Sequence, residues 1–323
     1  MNQIGSLLPN GNAMTGLRIT GWGSALPDRI LTNDDLAKAV DTSDEWITER
    51  TGIKERRIGG TTAGLAVDAG RAAMERAGAK PDEIDLVILA TTTPDRQVPA
   101  SASRVQAELG LKCGAFDLNA ACSGFVYGMV AAQGFIKSGL GKILVIGSET
   151  LSTIVDWEDR GTCILFADGA GAAVLERCDD EGDLLGFSMS SDGTLEPALY
   201  AERAGTLIMD GRAVFKNAVL VMEAAAREAL DMAGMTPDDV DHVIPHQANI
   251  RIIDASCRRL GIPSDKAITV LHYTGNTSSA SIPLALVDAL EGGRIHKGDR
   301  VLFVGFGAGM TSAAAVVRWS ADT

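Results

Sequence analysis

Apolar residues come in short, nearly continuous runs along this chain, such as DLVILA from Asp85, KILVIG from Lys142 and RVLFVGFG from Arg300. Between them lie longer stretches in which apolar residues recur every three or four positions. The short runs predict strands buried on both faces, and the long stretches predict amphipathic helices packed against them. Two segments follow one plan: VDAGRAAMERAGAKPDEIDLVI, ending at Ile88, and EAAAREALDMAGMTPDDVDHVI, ending at Ile244. Each reads as a helix closed by Ala-Gly, a Pro-Asp turn and a buried strand. The closing glycines, Gly78 and Gly234, lie 156 positions apart, and the glycines before two later strands, Gly141 and Gly298, lie 157 apart. One α/β unit therefore occurs twice in register. The division expected is a lead-in over 1–15, with Met14 as an alternative start, then halves over 16–177 and 178–323, each an α/β unit with a mixed sheet.

The chemistry-bearing residues fall where these strands end. Open α/β sheets bind ligands beyond the carboxyl ends of their strands, and there the sequence places Cys122 (GAFDLNAACSGF), His246 (VIPHQAN) and Asn276 (TVLHYTGNTSS). Cys122 stands between a strand and a helical run. Free N–H groups and the positive end of a helix dipole favour a thiolate at such a place. Taken singly, each residue has a plainer account: a small buried thiol, a core histidine, a turn asparagine. Two glycine-rich segments carry less. GFGAGM from Gly305 leads into the strand-like AAAVVRW and not into the helix that a dinucleotide loop requires, and the glycines of FADGAGAAVLE suit close backbone packing. No His/Cys/Asp/Glu spacing suggests a metal site, and His242, His272 and His296 are scattered.

Composition narrows the class. The chain has 323 residues, of which 46% are apolar and 22% charged, so a folded protein with roughly two domain-sized cores is expected. Five cysteines without a C-x-x-C pair suggest neither a disulfide framework nor a zinc site, and point to a reducing, cytoplasmic setting. The first residues lack a basic signal region, and no apolar run approaches the ~18 residues of a membrane span. A net charge of −13 argues against non-specific nucleic-acid binding.

These motifs resemble, from about Gly16 onward, the β-ketoacyl-[acyl-carrier-protein] synthase III family of thiolase-like condensing enzymes. The likeness rests on DTSDEWITERTGIKERR, NAACSGF, DWEDRGTCILFADGAGAAVLE, HQANIRI, GNTSSASIPLAL and GFGAGMT. It implies a layered αβαβα fold of duplicated halves, working as a homodimer. The implied reaction is condensation of an acyl-CoA with malonyl-acyl carrier protein, in which CoA is a substrate and no cofactor is needed. The implied catalytic residues are Cys122, His246 and Asn276, with an oxyanion hole from the N–H groups of Cys122 and Ala308. CoA contacts are implied for Trp46, Arg50, Arg160 and Asn249, and carrier-protein contacts for Lys216, Gln247, Arg251 and Arg258, on a basic surface that includes Arg259. Without the resemblance, Trp46 reads as the apolar anchor of a helix, Arg160 as a turn residue and the arginines as a solvated face. Val98 takes a position that some relatives fill with an aromatic side chain, given across the dimer interface to the end of the acyl pocket. The competing functions are a related acyltransferase or condensing enzyme of secondary metabolism, a non-catalytic partner subunit, and a cysteine hydrolase. A hydrolase would need Asn276 to orient His246.

Overall fold

A computed structural model describes residues 15–322; the expected start at Met14, with nearly all of the lead-in, lies outside the described residues. The first sheet has five strands: β1 (Gly16–Ala25), β2 (Leu86–Ala90), β3 (Gly114–Leu118), β4 (Lys142–Thr150) and β5 (Asp168–Cys178), in spatial order β1-β5-β4-β2-β3. The second has four: β6 (Leu184–Ser191), β7 (His242–Pro245), β8 (Arg300–Gly307) and β9 (Thr311–Arg318), in order β6-β9-β8-β7. Within each sheet one end is antiparallel (β1·β5·β4 and β6·β9·β8) and the other parallel (β4·β2·β3 and β8·β7). Where the first sheet carries β3, the second has only a parallel bridge from Val243 to Ala267. The order is otherwise the same, so the internal repeat seen in the sequence is a repeat of topology.

Five helices complete the layers: α1 (Thr62–Ala77), α2 (Gly124–Lys137), α3 (Gly211–Met232), α4 (Ile250–Leu260) and α5 (Ser281–Glu291). α2 and α5 lie between the sheets, where Phe125, Met129, Ile282 and Leu286 share one core with Ile88, Val145, Phe303 and Ala315. α1 covers the outer face of the first sheet, while α3 and α4 cover that of the second. Because helices cover both faces, β2 reads LVILA and is buried at all five positions. The repeated turns form as the sequence predicts. Gly78 (φ 61°) and Gly234 (φ 66°) turn left-handed after their helices, and 3₁₀ turns follow at Pro81–Glu83 and Pro237–Asp239. The helix ends are capped locally: Thr61 accepts from the N–H of Gly64, and Asp210 from those of Arg212 and Ala213.

Candidate active site

Cys122 lies in a 3₁₀ turn, Ala121–Ser123, between β3 and α2. His246 follows β7, with its N–H bonded to Val304 O on β8 at 2.8 Å. Asn276 is tied into the chain before β5, donating its N–H to Leu165 O and accepting from Ala167 N, each at 2.9 Å. All three are buried, and all three line one cavity of about 110 Å³ together with Phe166, Leu199 and Phe306. The duplicated fold thus brings one residue of the first half and two of the second to a single point. Backbone strain collects there. Ala121 (φ 47°), Ser278 (φ 48°) and Met310 (φ 43°), three of the four non-glycine residues with positive φ among those described, sit in the turns that build the site.

Each side chain is fixed by a specific partner. His246 Nδ1 is 2.7 Å from Ser281 Oγ, and the imidazole packs edge-on to Phe306 with centroids 5.4 Å apart. Asn276 Oδ1 accepts from the N–H of Ser278 at 2.9 Å, which settles the amide orientation and leaves Nδ2 as the donor on the cavity side. His246 is therefore oriented by Ser281, not by Asn276, and the Cys-His-Asn relay of a hydrolase is not formed. Gly307 packs so closely on the nucleophile turn that a Cβ there would come within 2.6 Å of Cys122 N. Ala308, which follows it, lines a second cavity together with Cys122. Thr311 Oγ1 closes the arrangement by donating to Ala120 O at 2.9 Å.

The electrostatics correct one expectation. Burial pushes the Cys122 thiol up to about 12, with a hydrogen bond from Ser278 opposing the rise and the nearby Glu149 carboxyl adding to it. Removing a thiolate from water outweighs the helix terminus here. The other four thiols, Cys113, Cys163, Cys178 and Cys257, are also pushed up by burial, so a lowered pKa does not single out Cys122. Its place on the cavity does. Burial likewise takes His246 from an ordinary 6.5 down to about 3, so the resting pair is a thiol and a neutral imidazole.

The depressed His246 value has a consequence for stability. Its contribution is fully present above pH 6.5 and is lost as pH falls toward 3, because the unfolded chain binds the proton first. At about 1.4 kcal/mol for each pH unit between the two values, this amounts to on the order of 5 kcal/mol. Between pH 6.5 and 3, His246→Gln is expected to lose less stability than the parent in acid-unfolding curves. Parallel curves would mean that the imidazole is solvated.

The residues implied for substrate binding divide into three groups. Trp46 is half-buried, with the guanidinium carbons of Arg50 and Arg160 at 4.6 and 4.8 Å from its ring centroid. Arg160 also donates to Asp41 O at 2.7 Å. At 4.8 Å there is no room for an adenine between Trp46 and Arg160, so a nucleotide stacked on the indole must displace a guanidinium. Asn249 and Arg251 stand at the start of α4, where the Asn249 side chain accepts from Arg251 N at 2.9 Å. Both line a groove that opens from the cavity, along with Arg50 and Arg212, and Asn249 lines the cavity as well. Lys216 and Arg258 are exposed on α3 and α4, outside that groove.

Gln247 is misassigned by the sequence reading. It is fully buried, donates to Pro245 O and Ile268 O, and accepts from the N–H groups of Val270 and Leu271. Both ends of its side-chain amide are used within the fold. Arg259 is paired with Glu223, so the basic mouth consists of Arg50, Arg212 and Arg251 and does not extend to Arg259. Val98 is 81% exposed and does not line the cavities at Cys122 in its own chain. Ser281, Ser278, Arg212 and Glu149 were not identified from sequence. Glu149, at the end of β4, is bonded to the N–H and hydroxyl of Thr92 and Thr93, to the Thr91 hydroxyl and to Ser279 Oγ; burial raises its carboxyl.

Comparison with known proteins bears on the family and the fold. Residues 116–193 match the family model described as 3-Oxoacyl-[acyl-carrier-protein (ACP)] synthase III, and residues 230–319 match that of its C-terminal part. The chain is 49% identical to the beta-ketoacyl-[acyl-carrier-protein] synthase III of Caldanaerobacter subterraneus subsp. tengcongensis, over 94% of this chain and 97% of that protein. The crystal structure of the Aquifex aeolicus 3-oxoacyl-[acyl-carrier-protein] synthase III superposes with a TM-score of 0.92 at 50% identity, covering 94% of this chain and all of that one. A priming β-ketosynthase from the R1128 polyketide biosynthetic pathway superposes with a TM-score of 0.90 at 37% identity, covering 95% of this chain and 97% of that one. The layered thiolase-like fold is thus that of these enzymes.

Proposed function

This chain belongs to the β-ketoacyl-[acyl-carrier-protein] synthase III family, and from that premise we propose how its residues divide the reaction. The enzyme condenses an acyl-CoA primer with malonyl-[acyl-carrier protein], releasing carbon dioxide and forming the 3-oxoacyl-[acyl-carrier protein] that starts type II fatty acid synthesis. What carries the assignment of residues is the convergence of Cys122, His246 and Asn276 on one cavity that opens into an arginine-lined groove.

In the first half-reaction the Cys122 sulfur bonds to the acyl carbonyl carbon and the CoA sulfur leaves, with the thiol proton ending on CoA. The tetrahedral oxyanion is met by the N–H groups of Cys122 and Ala308. In the second, malonyl-carrier protein takes the place of CoA. Loss of carbon dioxide leaves an enolate on the thioester, its oxygen met by Asn276 Nδ2 and His246 Nε2. With the Ser281 hydroxyl donating to His246 Nδ1, the ring carries its proton on Nε2, as the donor this role needs. The enolate carbon then attacks the acyl group on Cys122 and expels its sulfur as a thiolate, which takes up one proton from water to restore the thiol. CoA serves as a substrate, and the chemistry asks for no resident cofactor or metal.

Arg50, Arg212 and Arg251 suit the phosphates of CoA and the acidic carrier protein, while Trp46 with Arg160 suits the adenine. The working form is a homodimer in the cytoplasm. β3 leaves one edge of the first sheet unpaired beside Phe116 and Phe135, an apolar edge of the kind a second copy covers. Identity of 49% to the Caldanaerobacter synthase III, against 37% to the priming polyketide enzyme, supports primary over secondary metabolism.

Given an acyl-CoA and malonyl-carrier protein, the protein is expected to release one carbon dioxide for each 3-oxoacyl product, measured by carbon-dioxide trapping and product mass. Free fatty acid with no carbon-dioxide release would show a hydrolase instead.

A further inference from the structure

Glu149 is a completely buried carboxyl that the half-reactions above leave unused. Its Oε2 accepts from the N–H and hydroxyl groups of Thr92 and Thr93 at 2.6–3.1 Å, and from the Thr91 hydroxyl at 3.2 Å. None of these partners is a cation, and a buried charge without one is unfavourable. The contacts of Ser279 locate a proton. Its Oγ stands 2.8 Å from Ala90 O, which can only accept, and 2.8 Å from Glu149 Oε1. A hydroxyl carries one proton, so both contacts are hydrogen bonds only if the second proton comes from Glu149. Oε1–H then donates to Ser279 Oγ, and the Ser279 hydroxyl donates to Ala90 O. Oε2 keeps the threonine donors, and burial favours the same neutral form.

The Ser279 turn links this acid to the chemistry. Residues Ser278–Ala280 form a 3₁₀ turn that lies so close on β4 that a Cβ at Gly147 would come within 2.3 Å of Ser279 O. In the same turn the N–H of Ser278 fixes Asn276 Oδ1 at 2.9 Å, and the Ser278 side chain is hydrogen-bonded to Cys122. We propose that Glu149 is a protonated, neutral acid that positions Asn276 through this turn. This rests on the condensing reaction proposed above. Neutrality also matters to the thiol, because a charged Glu149 opposes a thiolate at Cys122. The other carboxyls packed nearby are spent elsewhere: Asp95 on the N–H groups of Thr62 and Ala63, and Asp168, across from Thr150, on Gly59 and Ser152.

Glu149→Gln puts an amide N–H in place of the acid proton, so this variant is expected to release carbon dioxide at near the parent rate. Its alkylation at Cys122 by iodoacetamide at pH 7 should also match the parent's. Faster alkylation would mean that a negative charge has been removed from beside the thiol, and overturns the neutral acid. So does a carboxylate band, in place of the C=O band of a protonated carboxyl, in the parent-minus-variant infrared spectrum. Ser279→Ala breaks the link and leaves the acid in place. Acylation of Cys122, read by intact mass, should then proceed at near the parent rate, while carbon-dioxide release slows ~10–10²-fold with KM for malonyl-carrier protein unchanged. Release at the parent rate overturns the positioning role, and so does an equal loss in both half-reactions, which marks a merely structural contact. A parent protein that acyl-CoA does not label strikes the condensing reaction instead, and the alkylation and infrared readings still decide the proton.

Discussion

Cys122→Ala takes up no acyl group from acyl-CoA and forms no 3-oxoacyl product, while a slow release of carbon dioxide from malonyl-carrier protein persists. The first effect is complete because the covalent route needs a nucleophile at that position and no other side chain can supply it. Of the five cysteines, only Cys122 lines the cavity shared with His246 and Asn276. The residual decarboxylation follows from the enolate donors, which do not depend on the thiol. Intact mass after incubation with acyl-CoA checks the first statement, and trapped carbon dioxide checks the second. An acylated Cys122→Ala protein would show that the nucleophile lies elsewhere. The raised thiol pKa adds a pH dependence. The thiolate is scarce at neutral pH, so alkylation of Cys122 by iodoacetamide should keep rising toward pH 12 and not level off near 9.

The second large effect concerns the partner pair. His246→Ala and Asn276→Ala each remove one donor from the enolate oxygen, and loss of such a donor costs ~10²–10³ in rate, or roughly 3–4 kcal/mol of transition-state stabilisation. Both variants are expected to keep acylating Cys122, because the tetrahedral oxyanion of that step is met by backbone N–H groups. The acyl-enzyme should therefore accumulate while carbon-dioxide release falls. The two donors act on one oxygen, so the double variant should lose less than the product of the single losses.

Much of this architecture was legible in the sequence because the repeat is written in turn chemistry as well as apolar pattern. Gly78 and Gly234 close equivalent helices, and Pro81 and Pro237 open equivalent turns, so two independent signals coincide twice. The meeting of Cys122, His246 and Asn276 on one cavity was legible for a related reason. In such sheets the useful positions lie at strand ends, and Cys122, His246 and Asn276 each follow an identifiable run. What escaped the sequence depends on depth and on contacts between distant segments. A helix terminus predicted an ionised Cys122, yet complete burial reverses the sign, and burial is a property of the assembled core. Gln247 next to His246 looked available to a partner, whereas its amide is spent on residues 245, 268, 270 and 271. Ser281 reaches His246 across 35 positions and Glu149 reaches Ser279 across 130, separations at which no local pattern gives a signal.

The central claim is that acylation and condensation belong to different residues. The most direct measurement takes Asn276→Ala through a single turnover, following the mass of the peptide containing NAACSGF together with the carbon dioxide released from malonyl-carrier protein. The account predicts that the acyl adduct on Cys122 forms at near the parent rate and persists, with carbon-dioxide release slowed ~10²–10³-fold. No adduct on Cys122, with carbon-dioxide release unimpaired, would contradict it and place Asn276 in the activation of the thiol.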